Sequence, residues 1–338
     1  MPHTHRRALL RRLAGGAPLL LGAAAAPPAL AQPGGAWRPT RPVAMLVPFA
    51  AGGPTDVMAR LLAARLADRL GQPVAVENVG GAGGVLGTGR LARAAPDGHT
   101  VGLGHLGTHG ANPAFYRRLP YDPATDFEPI GQYGTGPMVV ALRPGLARDA
   151  EGLRAWVAAN PRRLTLANAG VGSTTYLAAL LLDRALGAGA TLVPYRGAGP
   201  AMADTVAGVT DAIVDQASTV IPQAVAGGLV PVAVAAARRL PQLPWVPTAA
   251  EAGMPDLSVS VWNAAFAPRG TPAPALEAHA RALSDALDEA AIRERFAALA
   301  VEIPAPEERG PDPLRRLVAA EVERWRRVVA EAGITPEG

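Results

Sequence analysis

Three glycine-rich stretches, 49–56, 78–84 and 169–174, each lie between a short apolar run and a segment of helical periodicity. The first carries Phe49, Gly52, Gly53 and Thr55, the second Gly81, Ala82 and Gly83, and the third Ala169, Gly172, Ser173 and Thr174. A strand that ends in glycines and opens a helix leaves backbone N–H groups without partners at an end of partial positive charge. With no Cβ in the way, a ligand can approach the main chain closely. The chemistry that follows is anion binding, with the hydroxyls of Thr55, Ser173 and Thr174 as additional donors. One such loop is adequately explained as a turn of the chain. Three at equivalent strand ends coincide with the place where open α/β sheets bind ligands. Thr108 and His109, from a fourth glycine-rich stretch, are expected at the rim of the same cleft.

Catalytic and cofactor patterns are weaker. Gly102, Gly104 and Gly107 match a dinucleotide fingerprint, but Gly110 and Pro113 are expected to interrupt the helix that must follow it. His105 and His109 have the spacing of two metal ligands on a helix, yet no Glu completes the zinc-protease pattern, and a glycine-rich strand exit is a poor metal helix. Ser173, His109 and Asp56 are a nucleophile, base and acid by type, but no Gly-x-Ser-x-Gly elbow surrounds the serine. Asp56 is better placed to stabilise its own helix N-terminus, and Arg196 to be solvated. No catalytic residue, metal or cofactor is therefore expected; an exported hydrolase or lyase on the same scaffold is the competing reading.

Arg6, Arg7, Arg11 and Arg12 precede an apolar stretch from Leu13 to Ala26, then Pro27, Pro28 and Ala29-Leu30-Ala31. This is the pattern of a signal peptide over 1–31, too short and too rich in Gly, Ala and Pro to span a bilayer, with cleavage expected after Ala31. The paired arginines fit a twin-arginine export signal as well as an ordinary secretory one, so the route stays open. These four arginines account for the whole excess of 32 basic over 28 acidic residues, so the mature chain is neutral and carries no field that would draw nucleic acid or an anionic membrane. Lysine and cysteine are both absent, which excludes Schiff-base chemistry, a lysine P-loop, disulfides, a cysteine nucleophile and a lipidated N-terminal cysteine. The expected product is a soluble periplasmic protein with no direct membrane insertion. With aromatics at 4%, a cleft lined by backbone is favoured over stacked aromatic platforms.

The elements that position these loops read as βαβ units. Val43 to Val47 is a buried strand. The helix after Pro54 has an apolar stripe at Met58, Leu62, Leu66 and Leu70, with Gly53 or Thr55 as its cap. Strands are expected at 73–77 and 101–104 with a glycine loop and a helix between them. A second series starts where the chain leaves through Gly134, Gly136 and Pro137. It runs helix 149–159, strand 164–168, helix 174–186, strand 191–194, helix 198–207, strand 211–214, helix 217–226 and strand 230–235. A strand at 258–266 returns to the first unit, which closes with helices near 273–288 and 312–332. The roughly 300 mature residues suit two lobes. Lobe 1 comprises 37–135 and 256–338, lobe 2 comprises 136–255, and the chain crosses between them twice.

The ordered motifs also resemble a known family. They include Arg41-Pro42, Val47-Pro48-Phe49-Ala50-Ala51-Gly52-Gly53-Pro54-Thr55-Asp56, Val76-Glu77-Asn78 with Gly81-Ala82-Gly83-Gly84, and Ala95-Pro96-Asp97-Gly98-His99-Thr100. They continue through Asn112-Pro113, Leu119-Pro120-Tyr121-Asp122-Pro123, Asp126-Phe127, Pro194-Tyr195-Arg196-Gly197, Pro247-Thr248 and Glu251-Ala252-Gly253. From about Arg41 to Ile334 the chain resembles the Bug-type periplasmic receptors of tripartite tricarboxylate transporters. The resemblance implies an α/β type II periplasmic-binding fold, with mainly parallel sheets flanked by helices in two lobes and a two-crossing hinge. It implies capture of a small mono- or dicarboxylate by backbone N–H groups, hydroxyls and ordered water in the first two loops. Ala169 to Thr174 and Asp215 of the second lobe then cover the ligand, and a membrane permease is the partner. The chain departs from the family at Val79, where Arg is frequent, and at Gln216, where Asn is common, and such differences bear on which carboxylate is held.

Overall fold

The computed structural model describes residues 37–331, 333 and 335–337; the signal peptide expected over 1–31 lies outside them. Among the described residues no helix is long and apolar enough to cross a membrane.

The elements run β1 (Val43–Val47), α1 (Pro54–Leu70), β2 (Val74–Asn78), α2 (Val85–Ala92), β3 (Thr100–His105), α3 (Asn112–Phe115), β4 (Phe127–Leu142), α4 (Ala150–Ala159) and β5 (Thr165–Asn168). They continue with α5 (Thr174–Leu186), β6 (Thr191–Pro194), α6 (Ala198–Val206), β7 (Ala212–Gln216), α7 (Ala217–Val225) and β8 (Val230–Ala235). The chain ends with β9 (Ser260–Pro268), α8 (Ala273–Leu287), α9 (Ala290–Ala298) and α10 (Pro311–Glu331). The apolar stripe of α1 is buried as its spacing requires. Met58, Leu62, Leu66 and Leu70 pack under β1 and β3 with Tyr133, Leu283 and Phe296, each burial worth about 1.5–3 kcal/mol. Gly71, at φ 72°, ends α1 in the left-handed conformation.

The strand order is β2-β1-β3-β9-β4-β7-β5-β6, with β8 also on β4. The expected parallel βαβ pairing holds for β2-β1-β3 and for β6-β5-β7. The two triplets are joined by antiparallel strands, because β9 pairs with β3 and β4 pairs with β9, β7 and β8. The sheet is therefore mixed, where mainly parallel pairing was expected.

Gly134, Gly136 and Pro137, expected to carry the chain out of the first unit, lie inside the 16-residue strand β4. Its first part, Phe127 to Pro137, pairs with β9, and Met138 to Leu142 pairs with β7 and β8. One strand thus belongs to both halves. Register shifts at Pro129/Gly131 and Gln132/Gly134 absorb the irregular residues. A Cβ at Gly131 would overlap the Arg309 carbonyl oxygen, so glycine there is a matter of close approach by the 301–309 segment.

Two further local expectations are corrected. The interruption expected at Gly110 and Pro113 does not occur, because the chain after β3 widens into a π-helical turn, Leu106–Ala111, that runs on into α3 with Pro113 in its first turn, where the missing N–H costs nothing. Helix α9, whose buried residues are Ile292 and Phe296, had no expectation at all.

Tyr133 is fully buried in the core under α1 and α8, and its hydroxyl finds no partner among the described residues. A buried hydroxyl without a hydrogen bond costs about 1–3 kcal/mol. Tyr133→Phe should therefore leave the urea midpoint unchanged or raise it, with the same dependence on denaturant; a clear loss of stability would mean that the hydroxyl is bonded.

Candidate functional site

Four helix N-termini converge on one cavity. Gly53, Pro54 and Thr55 open α1; Ser173, Thr174 and Thr175 open α5; Ala198 opens α6; Asp215 and Gln216 lead into α7. Phe49, His105 and Ala169 complete the wall. Each helix presents its positive end and its unsatisfied N–H groups, and no arginine lines the cavity. The arrangement offers main-chain donors suited to an anion, and Thr55, Ser173, Thr174 and Asp215 are all buried.

Each loop is braced locally. Asp56 accepts hydrogen bonds from the Gly52 N–H (3.0 Å), Arg60 Nε (3.0 Å) and Asn78 Nδ2 (3.0 Å), which ties the 49–56 loop to β2. Burial pushes its pKa up, but the Arg60, Gly52 and Asn78 hydrogen bonds outweigh that and hold it below the usual value. Gly53 caps α1 through its backbone alone, so Thr55 keeps its hydroxyl for the cavity. Ser173 is the side-chain cap of α5, accepting from the Tyr176 N–H at 3.2 Å with Thr175 Oγ1 at 3.0 Å. Thr175 Oγ1 in turn accepts from the Ala169 N–H at 2.7 Å.

Of the residues expected at the site, Phe49, Gly53, Thr55, Ala169, Ser173, Thr174 and Asp215 line this cavity. The others do not, and the reason is the closeness of the two halves. A Cβ at Gly83 would overlap the Val171 carbonyl oxygen, one at Gly172 the Asn112 Oδ1, and one at Gly199 the Ala51 carbonyl. Gly52 lies against Gly199, and Gly81 faces Leu86. Gly52, Gly83, Gly172 and Gly199 make room for the opposing loop, whereas Gly81 packs against its own half. The seam is also hydrogen-bonded, from Ala50 N–H to the Arg196 carbonyl (3.3 Å), Tyr116 OH to the Val171 carbonyl (2.8 Å) and Asn263 Nδ2 to Gln216 Oε1 (3.1 Å). Ala82 is exposed, on an outer crevice with Tyr116, Tyr195 and Arg196.

Thr108 and His109, expected at the rim, are fully buried, because the π-helical turn winds them inward. The His109 ring stacks on Phe266 at 3.8 Å and its Nδ1 lies 2.9 Å from Thr108 Oγ1. His105 replaces it at the cavity, stacked on Phe49 at 5.1 Å, with Nδ1 accepting the Gly107 N–H at 2.9 Å. In the neutral ring the hydrogen is then on Nε2. Pro54, His105, Thr175, Ala198 and Gln216 were missed by the sequence reading. The Gly197-Ala198-Gly199-Pro200 run is a glycine-bearing helix start like the other three and was the available signal.

Among the described residues no group of three or more His, Cys, Asp or Glu could hold a metal ion. Burial lowers the pKa of His105 to about 4, and burial together with His105 lowers that of His109 to about 3. Burial raises Asp215 to about 6, against the opposing hydrogen bonds from Thr219 and the Gln216 N–H.

The profile of the tripartite tricarboxylate transporter family receptor matches residues 58–334. BugT of Bordetella pertussis is 37% identical over 297 residues, 87% of this chain and 90% of that protein. MatC from Rhodopseudomonas palustris, solved with bound malate, is 43% identical with a TM-score of 0.82, covering 86% of this chain and 99% of that one. A second R. palustris protein, solved with adipate, is 34% identical with a TM-score of 0.82, covering 88% and 99%.

The buried rings set a pH dependence. Both histidines are neutral in the fold and protonate freely once unfolded, so their contribution to stability is complete above about pH 6.5 and is lost as pH falls toward about 4 and about 3. Asp215 acts in the opposite sense, its cost complete above about pH 6 and relieved as pH falls toward the ordinary carboxylate value of 3.8. Two rings against one carboxyl should make the protein less stable at pH 4.5 than at pH 7. In urea melts at both values, His109→Phe should lose less on acidification than the wild type; equal losses would place the acid sensitivity elsewhere.

Proposed function

Because the chain belongs to the tripartite tricarboxylate transporter receptor family, we propose that it is an exported solute-binding protein whose lobes close over a small mono- or dicarboxylate. The observation that carries this reading is the convergence of four helix N-termini on a cavity without a basic side chain. A carboxylate is matched there by hydrogen bonds from the main chain and from the Thr55 and Thr174 hydroxyls. The malate and adipate held by the two R. palustris relatives are of that class.

The lobes are 37–135 with 256–338, and 136–255. Strand β4 and the approach to β9 are the crossings about which they open, and the glycine seam is the surface that meets on closure. The leader over 1–31 delivers the protein to the periplasm, and the partner is a membrane permease of the tripartite type. A hydrolase or lyase is disfavoured by the chemistry of the cavity. Ser173 is committed as the cap of α5, and His105 has Nδ1 engaged by the Gly107 N–H, so no nucleophile and base are paired. The protein has no catalytic role in this reading.

Titration calorimetry and thermal shift with a panel of mono- and dicarboxylates test it, alongside esterase and lyase assays. A saturable, stabilising carboxylate is expected. Thr174→Val removes one hydrogen bond to a charged group and should weaken binding by about 10- to 150-fold with little loss of fold. Gly83→Val should do worse, because its side chain meets Val171 and holds the halves apart. Turnover without any saturable carboxylate would overturn the reading.

A further inference from the structure

The cavity is rich in donors and holds one acid. Asp215 stands at the end of β7, is 1% exposed, and is the only Asp or Glu on the cavity wall. Its Oδ2 accepts the Thr219 hydroxyl at 2.7 Å, one turn into α7, which fixes the carboxylate against the helix. Around it stand donors, namely the four helix N-termini, the Thr55 and Thr174 hydroxyls and His105 Nε2, while the acceptor oxygens of Ser173, Thr175 and Gln216 are already engaged by Tyr176, Ala169 and Asn263. A ligand carboxylate bound there must share a small, closed space with a second carboxylate, and like charges at low effective dielectric repel strongly. A hydrogen donated by the ligand to Asp215 offsets that repulsion and adds to the bonds that Asp215 accepts from Thr219 and the Gln216 N–H.

We infer that Asp215 is a specificity-determining residue that selects carboxylates bearing a hydroxyl, accepting the ligand's hydroxyl hydrogen while the helix N-termini take its carboxylate. The inference rests on the carboxylate reading above and names the ligand class within it. An ammonium could also donate, but four positive helix ends oppose a cation, and no second acid lines the wall to compensate its desolvation. Burial raises Asp215 to about 6, while the Thr219 hydroxyl and the Gln216 N–H hold it toward the carboxylate, the form that accepts a hydrogen.

The test is calorimetry on the mature protein at pH 7.5 with matched acids: lactate against propionate, malate against succinate, and alanine and aspartate as ammonium-bearing counterparts. In each pair that binds, the hydroxy acid should be tighter by about 10- to 150-fold, the value of a hydrogen bond to a charged group. In Asp215→Asn that ratio should fall several-fold, and the unsubstituted acid should bind at least as tightly as it does to wild type, because the repulsion is gone. A merely structural role for Asp215 would lower both members of a pair together. Hydroxyl preference absent in the wild type, a ratio unchanged in the variant, or tightest binding by the amino acids would each overturn the inference. If Asp215→Asn does not fold, the wild-type ratios alone decide. Carboxylates that bind without regard to the hydroxyl sink this inference alone, whereas failure of every acid to bind sinks the carboxylate reading with it.

Discussion

The structure depends on one constraint: an anion site built from backbone instead of charged side chains. A helix N-terminus offers its N–H groups only if nothing stands in front of it, and four of them meet only if their loops are nearly bare of side chains. That demand explains Gly53 at the start of α1 and Gly197 at the start of α6. It also explains why the chain needs no lysine: the charge complementarity is carried by dipoles that are already desolvated and in place.

A second consequence is the seam. Loops stripped of side chains let the two halves approach until main chain meets main chain, as Gly83 does with Val171 and Gly199 with Ala51. Glycine therefore has two roles in adjacent positions of one loop, baring the helix ends on the inner side and packing against the opposite half on the outer side. The hydrogen bonds across the seam, from Ala50 to Arg196 and from Tyr116 to Val171, join neutral groups. Such bonds contribute about 0.5–1.5 kcal/mol each, so a bound anion can add to closure without having to overcome a rigid lock. Strand β4, shared by both halves, joins them through a continuous sheet.

The polar residues set into this frame divide the work between them. Asp56 serves architecture, tying loop to strand through Gly52, Arg60 and Asn78. His109 is packed face to face with Phe266 and serves the core. Asp215 and His105 face the cavity, the one carboxyl and the one imidazole on its wall.

Local chemistry was legible in the sequence wherever the signal was short in range. The i+4 stripe of α1 and the βαβ rhythm had to appear, because strand and helix periods are properties of a few consecutive residues. So did the glycine–hydroxyl starts of α1 and α5, since capping is decided within one turn. The family motifs extended that reading to the two-lobed fold. What the sequence left open depends on residues far apart in the chain. It could not say that Gly83 and Gly172 would face the opposing half, that β4 would run unbroken through Gly134 and Pro137, or that the π-helical turn would bury His109 and bring His105 to the cavity. A glycine that admits a ligand and a glycine that admits a neighbouring loop are the same residue until the fold supplies the neighbour. Only tertiary packing decides between them.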